Sequence, residues 1–125
     1  MKITLFTIRV TNLEESLKFY QEILGMKVVN EIKPNENLHI VFLQGEGEVQ
    51  LELIEDKTIT ILDRIGSIVS IGIYVESIET MAAFLREKKV PLKRGPLTMP
   101  NGTKLLFISD PNGVEIEFIQ DKARD

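Results

Sequence analysis

The 125-residue sequence predicts an α+β fold: two βαβββ modules forming one curved mixed sheet around a cleft. Three observations point there. Stretches with the two-residue period of strands surround just two stretches with helical spacing. The order strand, helix, three strands occurs twice. The second occurrence repeats the first after a shift of 65 residues, which sets Val10 on Val75, Leu13 on Ile78, Phe19 on Phe84, Leu51 on Ile116, Glu52 on Glu117 and Leu53 on Phe118. Each half alone has little core for its size, and two packed copies would share one.

The elements follow in order. Residues 3–10 alternate, with Phe6, Ile8 and Val10 on one face and Ile3, Leu5, Thr7 and Arg9 on the other. Asn12 offers an N-cap, with Glu15 three residues on. Leu13, Leu17, Tyr20 and Leu24 then recur at helical spacing, widened by Phe19 and Ile23, and Gly25 stands where a glycine ends a helix. Strands are predicted over 26–32, 38–44 and 48–54, joined by the turn Pro34-Asn35-Glu36-Asn37 and the tight Gly45-Glu46-Gly47. Residues 57–66 read as a connector whose Ile59, Ile61, Leu62 and Ile65 are apolar enough to pack.

The pattern then restarts. A strand is predicted over 67–75, and Ser77 caps a helix over 78–88 with Met81, Ala82 and Leu85 inward. A broken strand is predicted over 91–99, then strands over 103–108 and 114–120 and a polar tail. The turn Asp110-Pro111-Asn112-Gly113 precedes the last strand, whose Val114, Ile116 and Phe118 face one way while Glu115, Glu117 and Ile119 face the other. The whole chain, 1–125, is thus one domain of two modules, about 1–56 and about 67–120.

Composition narrows the function. Net charge is −4 with scattered basic residues, which predicts neither a nucleic-acid footprint nor a membrane patch. There is no cysteine, so disulfides, thiol nucleophiles and thiolate metal sites are excluded. No long apolar run reads as a signal peptide or transmembrane helix, and a cytoplasmic location is the expectation. The single histidine, His39, has no nucleophile motif around it.

Strand register predicts which side chains share a face. A two- or four-residue loop around Glu46-Gly47 sets Gln44 opposite Val49, Phe42 opposite Leu51 and Ile40 opposite Leu53, leaving Val41 beside Glu52 and His39 beside Ile54. A four-residue loop at Asp110–Gly113 sets Phe107 opposite Ile116 and Leu106 opposite Glu117. The face away from the helices then carries Leu5, Thr7, Arg9, His39, Gln50, Glu52, Ser70, Tyr74, Lys104, Glu115 and Glu117. So polar a face is either solvated or the wall of a ligand site. Glu52 and Glu117 are candidate general bases or metal ligands, or else carboxylates neutralised by Arg9 or Lys104. Arg9 is a candidate clamp for a carboxylate, Tyr74 a hydroxyl or aromatic wall, and Lys104 a ligand contact or a cross-strand ion-pair partner.

The stretches Arg9-Val10-Thr11-Asn12-Leu13, Ser16-Leu17-Lys18-Phe19-Tyr20, Ile23-Leu24-Gly25-Met26, Leu51-Glu52-Leu53 and Asp110-Pro111-Asn112-Gly113-Val114-Glu115-Ile116-Glu117 together carry a resemblance that spans the chain. The sequence resembles the vicinal oxygen chelate superfamily, which includes glyoxalase I, methylmalonyl-CoA epimerase, ring-cleaving dioxygenases and the fosfomycin- and bleomycin-resistance proteins. The first stretch looks most like glyoxalase I. The resemblance implies two βαβββ modules around a cleft, a homodimer and a small-molecule ligand. In metal-dependent members four cleft positions hold a divalent ion, and these map here to Leu5, Glu52, Ser70 and Glu117. Leu5 and Ser70 stand where ligands would be expected, and His39 is a candidate third ligand beside the two carboxylates. Arg9 matches an arginine that contacts the anionic end of glutathione.

Three functions are carried forward. The first is a member with a degenerate metal site that binds or acts on a small anionic or carbonyl-bearing molecule. The second is a metal-dependent lyase or isomerase of lactoylglutathione lyase type using Glu52 and Glu117. The third is an assembly subunit with a vestigial cleft. Drug sequestration of the bleomycin type is disfavoured by the absence of tryptophan and an aromatic content of 6%.

Overall fold

The computed structural model describes residues 2–59 and 70–121. It holds the predicted α+β class as two βαβββ units, Met1–Asp63 and Arg64–Asp125. Most of the expected connector, with Ile61, Leu62 and Ile65, lies outside the described residues, while Ile59 is exposed.

The first unit contains β1 (Leu5–Val10), α1 (Leu13–Lys18), β2 (Lys27–Asn35), β3 (Leu38–Gln44) and β4 (Gln50–Asp56), in the sheet order β1-β4-β3-β2. β1 runs parallel to β4, and the other pairs are antiparallel. The second unit contains β5 (Ser70–Tyr74), α2 (Ile78–Glu87), β6 (Arg94–Thr98), β7 (Lys104–Ser109) and β8 (Glu115–Gln120), in the order β5-β8-β7-β6. Its pairing has the same senses. The last strand of each module is therefore one of the two interior strands of its sheet, which places Glu52 and Glu117 away from the sheet edges.

Both helices start as the sequence predicts. The Asn12 side chain accepts from the Glu15 N–H at 3.0 Å, and the Ser77 hydroxyl accepts from the Thr80 N–H at 3.1 Å. A further acceptor comes from the last strand of each module. Glu55 Oε2 takes the Leu13 N–H at 2.8 Å, and Gln120 Oε1 takes the Ile78 N–H at 2.7 Å. Glu55 and Gln120 are repeat-equivalent, so each helix start is tied to the last strand of its own module.

The first helix departs from the predicted continuous run over 13–24. After Lys18 it widens into a π-helical turn over Phe19–Ile23, in which the Leu24 N–H reaches back five residues to the Phe19 carbonyl. The turn leaves Phe19 and Tyr20 both buried, packed edge-to-face with centroids 5.1 Å apart. Gly25 then takes φ +67°, the left-handed conformation that ends the helix.

Each unit has its own apolar layer. Val41, Leu43, Leu51 and Leu53 are buried on the face of the first sheet that carries α1, with Leu13 and Tyr20. Leu106, Ile108, Ile116 and Phe118 do the same in the second, with Ile78, Ala82 and Leu85 of α2. β2 extends three residues past its predicted end, because Glu36-Asn37 alone closes the turn.

Candidate functional site

Six of the candidate site residues lie on the sheet faces that point away from the helices. Parallel partners share a face, so β1 and β4 set Leu5 beside Gln50, Thr7 beside Glu52 and Arg9 beside Ile54. β5 and β8 set Ser70 beside Glu115, Gly72 beside Glu117 and Tyr74 beside Ile119. These placements agree with the expected face for Leu5, Arg9, Glu52, Ser70, Tyr74 and Glu117.

The antiparallel strands are one residue out of the predicted register. Gln44 lies opposite Gln50, which puts Phe42 opposite Glu52 and Val41 opposite Leu53. Ser109 lies opposite Glu115, which puts Phe107 opposite Glu117 and Leu106 opposite Phe118. The cause is loop length. Five residues, not two or four, connect each pair. In the second module the extra residue is fixed by the buried carboxylate of Asp110. Its Oδ1 accepts from the Asn112 N–H at 2.8 Å and the Val114 N–H at 2.7 Å, and its Oδ2 accepts from Asn112 Nδ2 at 3.0 Å.

Two predicted site residues change sides as a result. His39 lies opposite Glu55, on the sheet face away from Glu52, and its Nε2 is 2.6 Å from a Glu31 carboxylate oxygen. It is no third ligand beside Glu52. Lys104 lies opposite Gln120, on the helix side of β7, and its Nζ is 3.8 Å from the Glu79 carboxylate at the start of α2. It is neither on the Glu117 face nor a cross-strand partner.

The slip also brings in two residues the sequence reasoning missed. Phe42 and Phe107 flank the two carboxylates and are repeat-equivalent. Applying the same shift of 65 to β3 and β7 pairs them, so the signal was present. Arg94 lies opposite Phe107 with its guanidinium carbon 4.1 Å from the ring centroid. Lys93 Nζ is 3.4 Å from Glu115 Oε1 on the same face.

The two carboxylates differ in their bonding. Glu52 Oε1 accepts from the Thr7 hydroxyl at 2.7 Å. Glu117 makes no hydrogen bond or ion pair among the described residues, and it is half-buried. Arg9 is exposed and is not the partner of Glu52. Its charge acts instead on Asp56.

The Asp56 carboxyl is held below the usual aspartate range, first by the Thr58 hydroxyl at 2.6 Å, then by the Thr58 N–H at 2.9 Å and the field of Arg9. A carboxyl depressed in the folded state adds stability that is complete above its ordinary value of about 3.9. That stability is lost as pH falls through the lower folded value. Thr58→Ala is therefore expected to lower stability at about pH 7 by more than at about pH 2.5, as read by urea denaturation at each pH. An equal loss at both would show that the hydroxyl does not act through Asp56.

Among the described residues, no group of three or more His, Cys, Asp or Glu is placed to hold a metal ion. Leu5 and Ser70, which the resemblance maps onto metal positions, supply a hydrocarbon and a neutral hydroxyl. A borderline divalent ion binds imidazole or carboxylate far better than either. The donor set does not fit the ion held by metal-dependent relatives.

With fold and faces in place, comparison with known proteins gives the family. The model of the Glyoxalase/Bleomycin resistance protein/Dioxygenase superfamily matches residues 2–118, and this chain belongs to that superfamily. It is 30% identical to the lactoylglutathione lyase of Haemophilus influenzae, over 98% of this chain and 95% of the relative. It is 31% identical to the Bacillus subtilis protein YwbC, over 90% and 92%. Among solved structures it is similar to Leishmania major glyoxalase I, at 31% identity and TM-score 0.79, covering 96% of this chain and 86% of that one. It also superposes on about half of a Zea mays glyoxalase I chain, at 25% identity and TM-score 0.83, covering 98% and 45%. Among the described residues no helix is long and apolar enough to cross a membrane.

Proposed function

We propose that this chain binds or acts on a small anionic or carbonyl-bearing molecule without the divalent ion of the metal-dependent family members. The observation that carries the reading is the donor set: Leu5 and Ser70 stand at two of the four mapped metal positions. Glu52 and Glu117 remain as the carboxylates that meet the ligand, and in a reaction they are the groups able to take up a proton. Arg9, exposed on the Glu52 face, is the clamp for an anionic group. Tyr74, exposed on the Glu117 face, is a further ligand contact. The proposed working form is a cytoplasmic homodimer.

A second reading is favoured by the relatives named lactoylglutathione lyase, at about the same identity along almost the whole chain. There Glu52 and Glu117 would serve a metal-assisted lyase.

Calorimetric titration with Ni²⁺, Co²⁺, Zn²⁺ and Mn²⁺ separates the two. The expected result is no stoichiometric binding at micromolar metal, and no turnover of the glutathione–methylglyoxal hemithioacetal with those ions added. Stoichiometric binding that disappears in Glu52→Gln and in Glu117→Gln would overturn the metal-free reading and establish the lyase site.

A further inference from the structure

The repeat makes Glu52 and Glu117 equivalent by position, yet the structure treats them differently. In the first module Thr7 Oγ1 donates to Glu52 Oε1 at 2.7 Å, with Phe42 on the other side of the carboxylate. Shifted by 65 residues, the same three places hold Gly72, Glu117 and Phe107. Thr7 has become a glycine, and the hydroxyl is gone. Gly72 does not need to be glycine for its backbone, because its φ lies outside the left-handed region. A Cβ built there would sit 4.0 Å from Glu117 Oε1 and 3.3 Å from the tip of Ile119. The glycine therefore gives Glu117 no protein hydroxyl, and the tip of Ile119, the flexible end of a side chain, would have to give by a few tenths of an ångström for one to be placed there.

We propose that Glu117 is the ligand-accepting carboxylate, that Gly72 leaves it without a protein hydroxyl, and that the ligand supplies a hydroxyl where Thr7 supplies one to Glu52. The first module thus displays the bond that the second is built to make with its ligand. Thr7 is a positioning residue that engages one oxygen of Glu52 and leaves the other for the ligand. The proposal rests on the ligand-binding reading above and adds the chemical class of the group that meets Glu117: a neutral O–H donor on a carbon skeleton. Phe107, beside Glu117 and covered by the Arg94 guanidinium, and Ile119, above Gly72, give that carboxylate apolar flanks. Such flanks reduce competition from water for its lone pairs. An ammonium would also satisfy a carboxylate, but the internal template is a hydroxyl.

Two measurements test this. The first needs no ligand. Gly72→Thr and Gly72→Val add nearly the same volume and press equally on the Ile119 tip, and only threonine brings a donor. Gly72→Thr is expected to melt about 3 °C above Gly72→Val. The comparison of the parent with Thr7→Val should show a difference of the same sign. Equal melting of the two Gly72 variants would mean that a hydroxyl there does not reach Glu117, and would overturn the proposal.

The second measurement uses the unmodified protein, and so stands even if the variants fold poorly. Phenol, anisole and benzylamine are titrated against its amide ¹H–¹⁵N spectrum, read at Gly72, Phe107 and Glu117. Phenol is expected to shift these signals with an apparent affinity at least fivefold above that of anisole, which lacks the donor. Phenol should also exceed benzylamine. Equal binding of phenol and anisole would overturn the hydroxyl assignment while leaving a ligand face in the second module. Preference for benzylamine would replace the hydroxyl by a cation. No shift by any of the three at tens of millimolar would remove the ligand role of this face altogether.

Discussion

Replacing Phe118 by alanine is expected to cost about 3–5 kcal/mol of folding stability, the usual range for deleting a buried aromatic ring. Phe118 is 1% exposed and lies in an interior strand of its sheet, opposite Leu106 on β7 and beside Ile73 on β5. Flanking strands and α2 hold the surrounding side chains, so the site cannot collapse onto the gap. The cost is lost transfer energy plus a cavity. Phe118→Leu, which keeps most of the volume, should cost clearly less. The informative contrast is one residue away. Glu117 points to the opposite face and bonds nothing among the described residues. Glu117→Gln is expected to change stability by no more than about 0.5 kcal/mol. Urea denaturation of the three variants measures the effect. A Glu117→Gln loss as large as that of Phe118→Ala would mean that the faces of β8 are assigned the wrong way round.

Asp110→Ala is expected to cost about 3 kcal/mol, from a residue with no apolar contribution. Its buried carboxylate accepts two backbone N–H groups, from Asn112 and Val114, and the Asn112 side chain. Alanine leaves those donors without their acceptor, and each buried, unsatisfied donor costs about 1–3 kcal/mol. Asp110→Asn keeps one carbonyl oxygen and should lose less. The consequence for the site is larger than the energy. This carboxylate fixes the five-residue connection that sets Phe107, and not Leu106, beside Glu117. Hydrogen exchange is the accompanying measurement. Amides of β7 and β8 should lose protection in Asp110→Ala before those of β3 and β4. Uniform loss across both modules would show that Asp110 stabilises the chain without fixing the register of its own sheet.

Much of this molecule is legible in its sequence, because the deciding information is local or repeated. Alternation of Val114, Ile116 and Phe118 with Glu115 and Glu117 fixes the faces of β8 without reference to any neighbour. Asn12 and Ser77 announce the helix starts, since a capping side chain and its N–H are three residues apart. The shift of 65 residues gives the module architecture and pairs Glu52 with Glu117.

Register was not legible. A one-residue difference in loop length exchanges the two faces of a strand, and both modules share the same loop length. Agreement between the copies therefore supports a common error as readily as the truth. The expected four-residue loop length puts His39 and Lys104 beside the carboxylates, and Phe42 and Phe107 away from them, for this one reason.

The sequence by itself determined the fold class, the repeat, the helix starts and the two carboxylate positions, all set by short-range chemistry and periodicity. Only the tertiary structure decided which side chains meet those carboxylates: Thr7 on Glu52, no hydroxyl from Gly72 at Glu117, and a phenylalanine beside each. Those contacts depend on cross-strand register, and register depends on how a buried turn such as that of Asp110 satisfies its own backbone.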